Sequence, residues 1–310
     1  MKKRIRFKKS FWVLIFVLAV GIIGIVGVVK YQNHINSFEY LLSKKGYTEE
    51  EIKKAISNRE IVNTLLEQDY NQYIIDIMNT KYYLSKNLDK YITYKTKYSD
   101  TSYEDVIAIV NVNADVDWYS KTNEVDLTKG NLILLNKFHY LNEEYNPEDL
   151  VDMSLMYAFT GKKLRSEAYD AFKSMVNAAK LEGLTIVANS AFRTYSYQEK
   201  TYNSIKASNG KAYADNYAAR PGFSEHQTGL AVDVSTLNST MENFEDTEEF
   251  KWLQENAQDY GFILRYPKNK EFLTGYNYES WHYRYVGVKV AKEIKKENIT
   301  FDEYYAYYLE

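Results

Sequence analysis

The chain has no cysteine, three prolines and 13 glycines in 310 residues. The lack of cysteine excludes disulfides, thiolate zinc sites, iron–sulfur clusters and a cysteine nucleophile. It does not by itself distinguish an oxidising from a reducing compartment. The scarcity of proline and glycine argues against long disordered linkers. Basic charge is also scarce outside the N-terminus. Residues 1–30 hold seven Lys or Arg and no acid, and the other 280 residues carry 32 basic against 42 acidic side chains, a net −10. So acidic a body offers no footprint for nucleic acid. Tyrosine is plentiful, at 31 residues, and the length allows one large domain or two smaller ones.

Lys2, Lys3, Arg4, Arg6, Lys8 and Lys9 precede an uncharged run of 19 residues, Phe11–Val29. That is close to the ~20 residues that cross a bilayer core. The run ends in Gly-Val-Val-Lys without a small-x-small cleavage site. We therefore read residues 1–10 as a cytoplasmic basic tail and 11–29 as an uncleaved transmembrane anchor. The basic flank stays in the cytoplasm, so a single-pass protein of the cell membrane with its C-terminal bulk outside the cell is expected. A cleaved signal peptide and a buried core helix are the alternatives.

Residues 31–110 read as helical. Thr48-Glu-Glu-Glu51 fits a capping box, and Ile52, Ala55, Ile56, Val62, Leu65 and Leu66 follow at helical spacing. A second apolar series runs from Ile74 to Ile92, and Ser102-Tyr-Glu-Asp105 resembles another helix start. No residue here suggests chemistry, so the region is read as a stalk or accessory module. From residue 111 helical periodicity fades, and 111–310 is read as the catalytic domain. Leu132-Ile-Leu-Leu-Asn136 suits a buried strand or extended segment. His139 is assigned to packing and His34 to the surface.

Ala168, Tyr169, Phe172, Met175, Val176 and Ala179 share one helical face, with Gly183 placed to end that helix. Leu184–Ser190 reads as a strand leading to Arg193, whose apolar, aromatic setting implies partial burial and hence an anionic partner. Pro221-Gly222 signals a turn, and Gly229 gives the backbone freedom to bring His226 and Asp233 together. Asp233 lies in a core-strand pattern, where an unpaired carboxylate is very costly. Further strands are expected at Phe262–Tyr266 and Trp281–Val286, and helices at 288–298 and after Thr300. Trp281 reads either as core packing or as a pocket wall.

Two histidines and an aspartate, His226, Asp233 and His282, are a ligand set that zinc accepts, with a fourth position left to water. Glu279, three residues from His282, is a carboxylate placed to act as a base. The competing reading is a coincidence of buried polar residues, with Asp233 bonded to backbone amides and His226 on the surface.

Ser224-Glu-His-Gln-Thr-Gly-Leu-Ala-Val-Asp233 resembles the S-x-H-x-x-G-x-A-x-D signature of the VanY-type D-alanyl-D-alanine carboxypeptidases, peptidase family M15. Glu279-Ser-Trp-His282 resembles that family's E-x-W-H, and Ser190–Gln198 its Arg-containing segment. The three occur in the family's order, and the similarity covers roughly residues 130–300. It implies zinc held by His226, Asp233 and His282, with Glu279 as catalytic base and Arg193 stabilising the developing oxyanion. Gln198 and Ser224 would line the substrate pocket, with Trp281 as a further candidate. It also implies an α+β fold, a small antiparallel sheet flanked by helices as in hedgehog domains. The implied substrate is a peptidoglycan stem peptide that loses its C-terminal D-amino acid. L,D-carboxypeptidase activity on tetrapeptide stems is the enzymatic alternative. A non-catalytic cell-wall binding or sensing protein is the reading from another class.

Overall fold

The computed structural model describes residues 8–239, 241 and 243–310, without the side chains of Val13 and Ile35. Lys2, Lys3, Arg4 and Arg6 of the basic tail therefore lie outside the described residues. The chain divides into two compact units, residues 1–104 and 105–310.

The first unit opens on a helix, Lys9–Ile35, that is long and apolar enough to cross a membrane. From Lys9 to His34 its described side chains are exposed. It outlasts the apolar run because nothing in Lys30–His34 stops a helix. It ends where Ser37 turns to cap the next one, accepting from the Tyr40 N–H at 3.3 Å. Short helices follow. Thr48 and Glu51 form the expected capping box, with Thr48 N–H donating to Glu51 Oε2 at 2.7 Å and Glu51 N–H to Thr48 Oγ1 at 3.3 Å. Ile52, Ala55, Val62, Leu65, Ile74 and Ile75 are buried as their spacing requires. Ile56 is not: it is the C-cap of the helix Glu49–Ala55 and stays exposed.

The second unit is α+β. Two small pairs come first, β1 (Asn123–Glu124) with β2 (His139–Tyr140), parallel, and β3 (Leu150–Asp152) with β4 (Lys163–Arg165), antiparallel. The main sheet is antiparallel and four-stranded, ordered β5 (Val187–Ser190), β6 (Ala231–Ser235), β8 (His282–Tyr285), β7 (Phe262–Leu264). The helix Ser166–Leu181 buries Phe172, Met175 and Ala179 in the same core as Val232, Val234, Phe262 and Tyr283. Gly183, at φ +83°, ends that helix. The Leu184 N–H returns to the Ala179 carbonyl at 3.1 Å, which delays the strand to Val187. Ile133, Leu134 and Leu135 are buried and extended but form no regular strand, apart from a single bridge between Asn136 and His139. His139 is packed, with Nδ1 3.1 Å from Asn136 Oδ1. Thr300 and Glu303 cap the helix Phe301–Tyr308 reciprocally.

Candidate metal centre and active site

The site is assembled by sheet register and two glycine turns. Asp233 of β6 and His282 of β8 are paired across neighbouring antiparallel strands. Before β6, Arg220-Pro221-Gly222-Phe223 forms a turn closed by the Phe223 N–H to the Arg220 carbonyl at 3.0 Å. Gly222 takes φ +84° at the position where such turns favour glycine. A single turn of 3-10 helix, Glu225–Thr228, then ends on Gly229 at φ +68°. That reversal brings His226 over the sheet. Arg193 arrives from the end of β5, and its N–H donates to the His226 carbonyl at 3.2 Å.

His226 Nδ1 lies 2.7 Å from the Ala191 carbonyl. A carbonyl only accepts, so Nδ1 carries the proton and Nε2 keeps its lone pair. That Nε2 faces Asp233 Oδ2 at 3.2 Å, while Asp233 Oδ1 lies 2.8 Å from His282 Nδ1. The three donor atoms fall within 4.8 Å of one another, and all three residues are buried. Two imidazoles and a carboxylate so converged could hold a metal ion, and the donor set suits zinc. Asp233 is therefore not bonded to backbone amides, and His226 is not a surface residue.

Arg193 finds its anion in this cluster. It donates from Nη2 to Asp233 Oδ2 at 2.9 Å and from Nη1 to Gln198 Oε1 at 3.4 Å. Ser190 Oγ accepts from both Nε and Nη2. Gln198 also donates to the Ala219 carbonyl at 2.8 Å, so it braces Arg193 against the pocket wall. Glu279 Oε2 stands 3.7 Å from His282 Nδ1, with a fifth of its side chain exposed. Ser224, Tyr266, Tyr276 and Trp281 line the same cavity as these groups. Trp281 fills both roles considered for it, because it also packs on the core.

Burial and mutual charge tune the group. Burial, reinforced by Arg193, pushes His226 down to about 4. Burial would also lower His282, but hydrogen bonds to Asp233 and Glu225 outweigh it and hold the ring at about 9. Asp233 stays ionised well below the ordinary carboxylate range, because the histidines outweigh its burial. Glu279 moves the other way. Burial lifts it to about 7, with the Asp233 charge adding to the rise and His282 and Arg193 opposing it. Two carboxylates in one site are thus driven apart in acidity, a pattern of acid–base centres.

Sequence reasoning missed a layer beneath this site. Glu225, Arg265, Arg284 and Asp302 are all buried and form a chain of ion pairs, Arg284 to Glu225, Glu225 to Arg265 and Arg265 to Asp302. The signal was present: Arg265 and Arg284 sit in or beside apolar strand patterns, where a guanidinium needs an anion just as Asp233 needs a cation.

Residues 161–288 match the family model described as VanY, D-alanyl-D-alanine carboxypeptidase. The putative carboxypeptidase YodJ of Bacillus subtilis is 44% identical over 181 residues, 56% of this chain and 66% of that protein. The chain thus spans just under two thirds of that relative's length. The bifunctional D-Ala-D-Ala dipeptidase and D-Ala-D-Ala carboxypeptidase VanXYC of Enterococcus gallinarum is 34% identical over 181 residues, 57% of this chain and 94% of its own. Among solved structures, the LD-carboxypeptidase LdcB superposes with a TM-score of 0.57 at 41% identity, covering 60% of this chain and 90% of that one. A mutant of the vancomycin resistance D,D-pentapeptidase VanY, in complex with Zn(II), gives 0.50 at 32%, covering 56% and 98%. On its fold, its converged His-Asp-His cluster and these relatives, the chain belongs to the VanY family of D-alanyl-D-alanine carboxypeptidases.

Proposed function

We propose that the chain is a zinc carboxypeptidase that removes the C-terminal D-alanine of peptidoglycan stem peptides. The observation that carries this reading is the convergence of His226, Asp233 and His282 donors within 4.8 Å, with the Glu279 carboxyl 3.7 Å from His282 Nδ1. His226 Nε2, Asp233 and His282 Nδ1 would hold the metal. When bound, zinc supplies Lewis acidity to the scissile carbonyl and to a water. Glu279 accepts the proton of the attacking water and returns it to the leaving amine. Arg193 presents fixed positive charge where the oxyanion develops. Gln198, Ser224 and Trp281 shape the pocket for the terminal residue. The helix Lys9–Ile35 anchors the chain in the membrane, residues 31–110 act as spacer, and the catalytic unit faces the wall outside.

The similarity to an LD-carboxypeptidase at 41% identity supports a second reading, in which the substrate is a tetrapeptide stem. Pentapeptide and tetrapeptide stems are incubated separately with the zinc-loaded protein, and the released residue is identified by mass spectrometry. D-Alanine from the pentapeptide alone supports the first reading, and from the tetrapeptide alone the second. Release from neither removes both.

A further inference from the structure

The Glu225 carboxylate is wholly buried beneath the proposed metal site, next in sequence to His226. Its Oε1 accepts from Arg265 Nε and from Arg284 Nη1, each at 2.8 Å. Its Oε2 faces His282 Nε2 at 3.4 Å. The guanidiniums are tied down in turn. Arg265 pairs with Asp302 at 2.5 Å, and Arg284 Nη2 donates to the carbonyls of Asn131 at 3.0 Å and Ile133 at 2.8 Å. Asp302 also accepts from Asn136 Nδ2 at 2.8 Å. Two buried cations and two buried anions thus balance around Glu225.

A charged acceptor fixed opposite Nε2 decides the tautomer of the ring. A neutral His282 places its single proton on Nε2, pointing at Glu225 Oε2, and leaves the Nδ1 lone pair beside Asp233 and His226. We infer that Glu225 is a positioning residue for the metal. Clamped by Arg265 and Arg284, it accepts the Nε2–H of His282 and so presents Nδ1 to the cation. Outer carboxylates of this kind orient imidazole ligands and typically change metal affinity ~10–100-fold.

This inference rests on the reading that His226, Asp233 and His282 hold zinc, and the test separates the two. In the full chain, zinc affinity is measured by competition with a chromophoric chelator, alongside the melting temperature of the metal-free protein. E225D keeps the charge owed to both arginines but shortens the side chain, drawing Oε2 away from His282. E225Q keeps the length and removes the charge. Each variant is expected to weaken zinc binding by ~10–100-fold. A lower melting temperature with unchanged zinc affinity in E225D would show a purely structural role and overturn the inference.

Should either variant fail to fold, the wild type decides. In the zinc-loaded protein, 15N-correlated spectra of the His282 ring are expected to show a slowly exchanging Nε2–H and no proton on Nδ1. The opposite tautomer overturns the inference. A wild-type protein that binds no zinc overturns the metal reading instead, and the inference falls with it.

Discussion

Asp233 and His282 occupy one cross-strand pair of β6 and β8, with Asp233 Oδ1 2.8 Å from His282 Nδ1. Directly opposed residues on antiparallel strands project to the same face, so backbone register alone brings these two donors together. Only His226 must be brought in from outside the sheet, and the Gly229 turn does that. Two of the three candidate ligands are therefore as rigid as the sheet that carries them.

The protonation of His282 makes zinc binding depend on pH. In the metal-free site its ring holds a proton up to about 9, whereas His226 is already neutral at pH 7, its value having fallen to about 4. A cation at Nδ1 must displace that proton. Apparent zinc affinity should therefore rise roughly tenfold per pH unit from 7 towards 9 and flatten above. Calorimetry at pH 7 in buffers of different ionisation enthalpy should show about one proton released per zinc from His282, with a further fraction from Glu279. The same raised value stabilises the metal-free fold fully below the unfolded histidine's value of ~6.5. That contribution is lost as pH climbs through about 9. Zinc uptake without proton release would contradict this account.

Glu279→Ala should separate chemistry from metal binding. The carboxyl lies 3.7 Å from His282 Nδ1 and is not among the three converged donors. Its removal should leave zinc content at one per chain while turnover on the stem peptide falls by ~10²–10⁴, the usual range for a lost general base. Only the ionised carboxylate accepts a proton, so wild-type kcat/KM should drop on the acid side, and the residual activity of the variant should lack that limb. Full turnover in the variant would remove Glu279 from the mechanism.

Much of this is legible in the sequence. The segment Ser224–Asp233 and the tetrapeptide Glu279–His282 carry residue types and turns whose purpose is local, and each element near them reads from periodicity and caps. What was not legible depends on tertiary pairing. Glu225 looks like any charged residue in a polar turn, and nothing in its sequence neighbours announces that Arg265 and Arg284 close on it, with Asp302 behind Arg265. Likewise the apolar setting of Arg193 calls for an anion, but that the anion is Asp233 follows only from the pairing of β5 with β6. Ile56 shares the apolar spacing yet is exposed, because spacing assigns a face without saying where the helix stops.

Arg193→Ala should have opposite effects on rate and on metal. The guanidinium sits 2.9 Å from Asp233 Oδ2, so its charge opposes a cation at the same carboxylate. Removing it should leave zinc affinity unchanged or tighter. Removing a donor aimed at a developing oxyanion costs ~10²–10³ in kcat, and a loss of that size is expected here. Arg193→Lys keeps the charge but not the forked contacts to Ser190, Gln198 and Asp233, and it should recover only part of the rate. If zinc affinity and rate fell together, Arg193 would be holding the site in shape and not serving the reaction.

The glycines of the motif should differ in how badly they tolerate alanine. Both Gly222 and Gly229 have positive φ, which costs a non-glycine residue ~1–2 kcal/mol. A Cβ on Gly229 would come within 2.9 Å of the Leu150 side chain and 3.0 Å of that of Arg165. On Gly222 it would come within 2.7 Å of the Leu141 backbone oxygen. Side chains can move aside. The Leu141 backbone cannot, because its N–H is bonded to the Gly222 carbonyl at 2.8 Å. Gly222→Ala should therefore be the more destabilising, and it should open the turn that sets Ser224 and His226 in place. For a unit of this size each kcal/mol lowers the melting temperature by ~2–4 °C. Thermal melts of the zinc-free proteins should rank wild type above Gly229→Ala and Gly229→Ala above Gly222→Ala. A Gly222→Ala protein that melts with the wild type would mean that the turn does not hold the site.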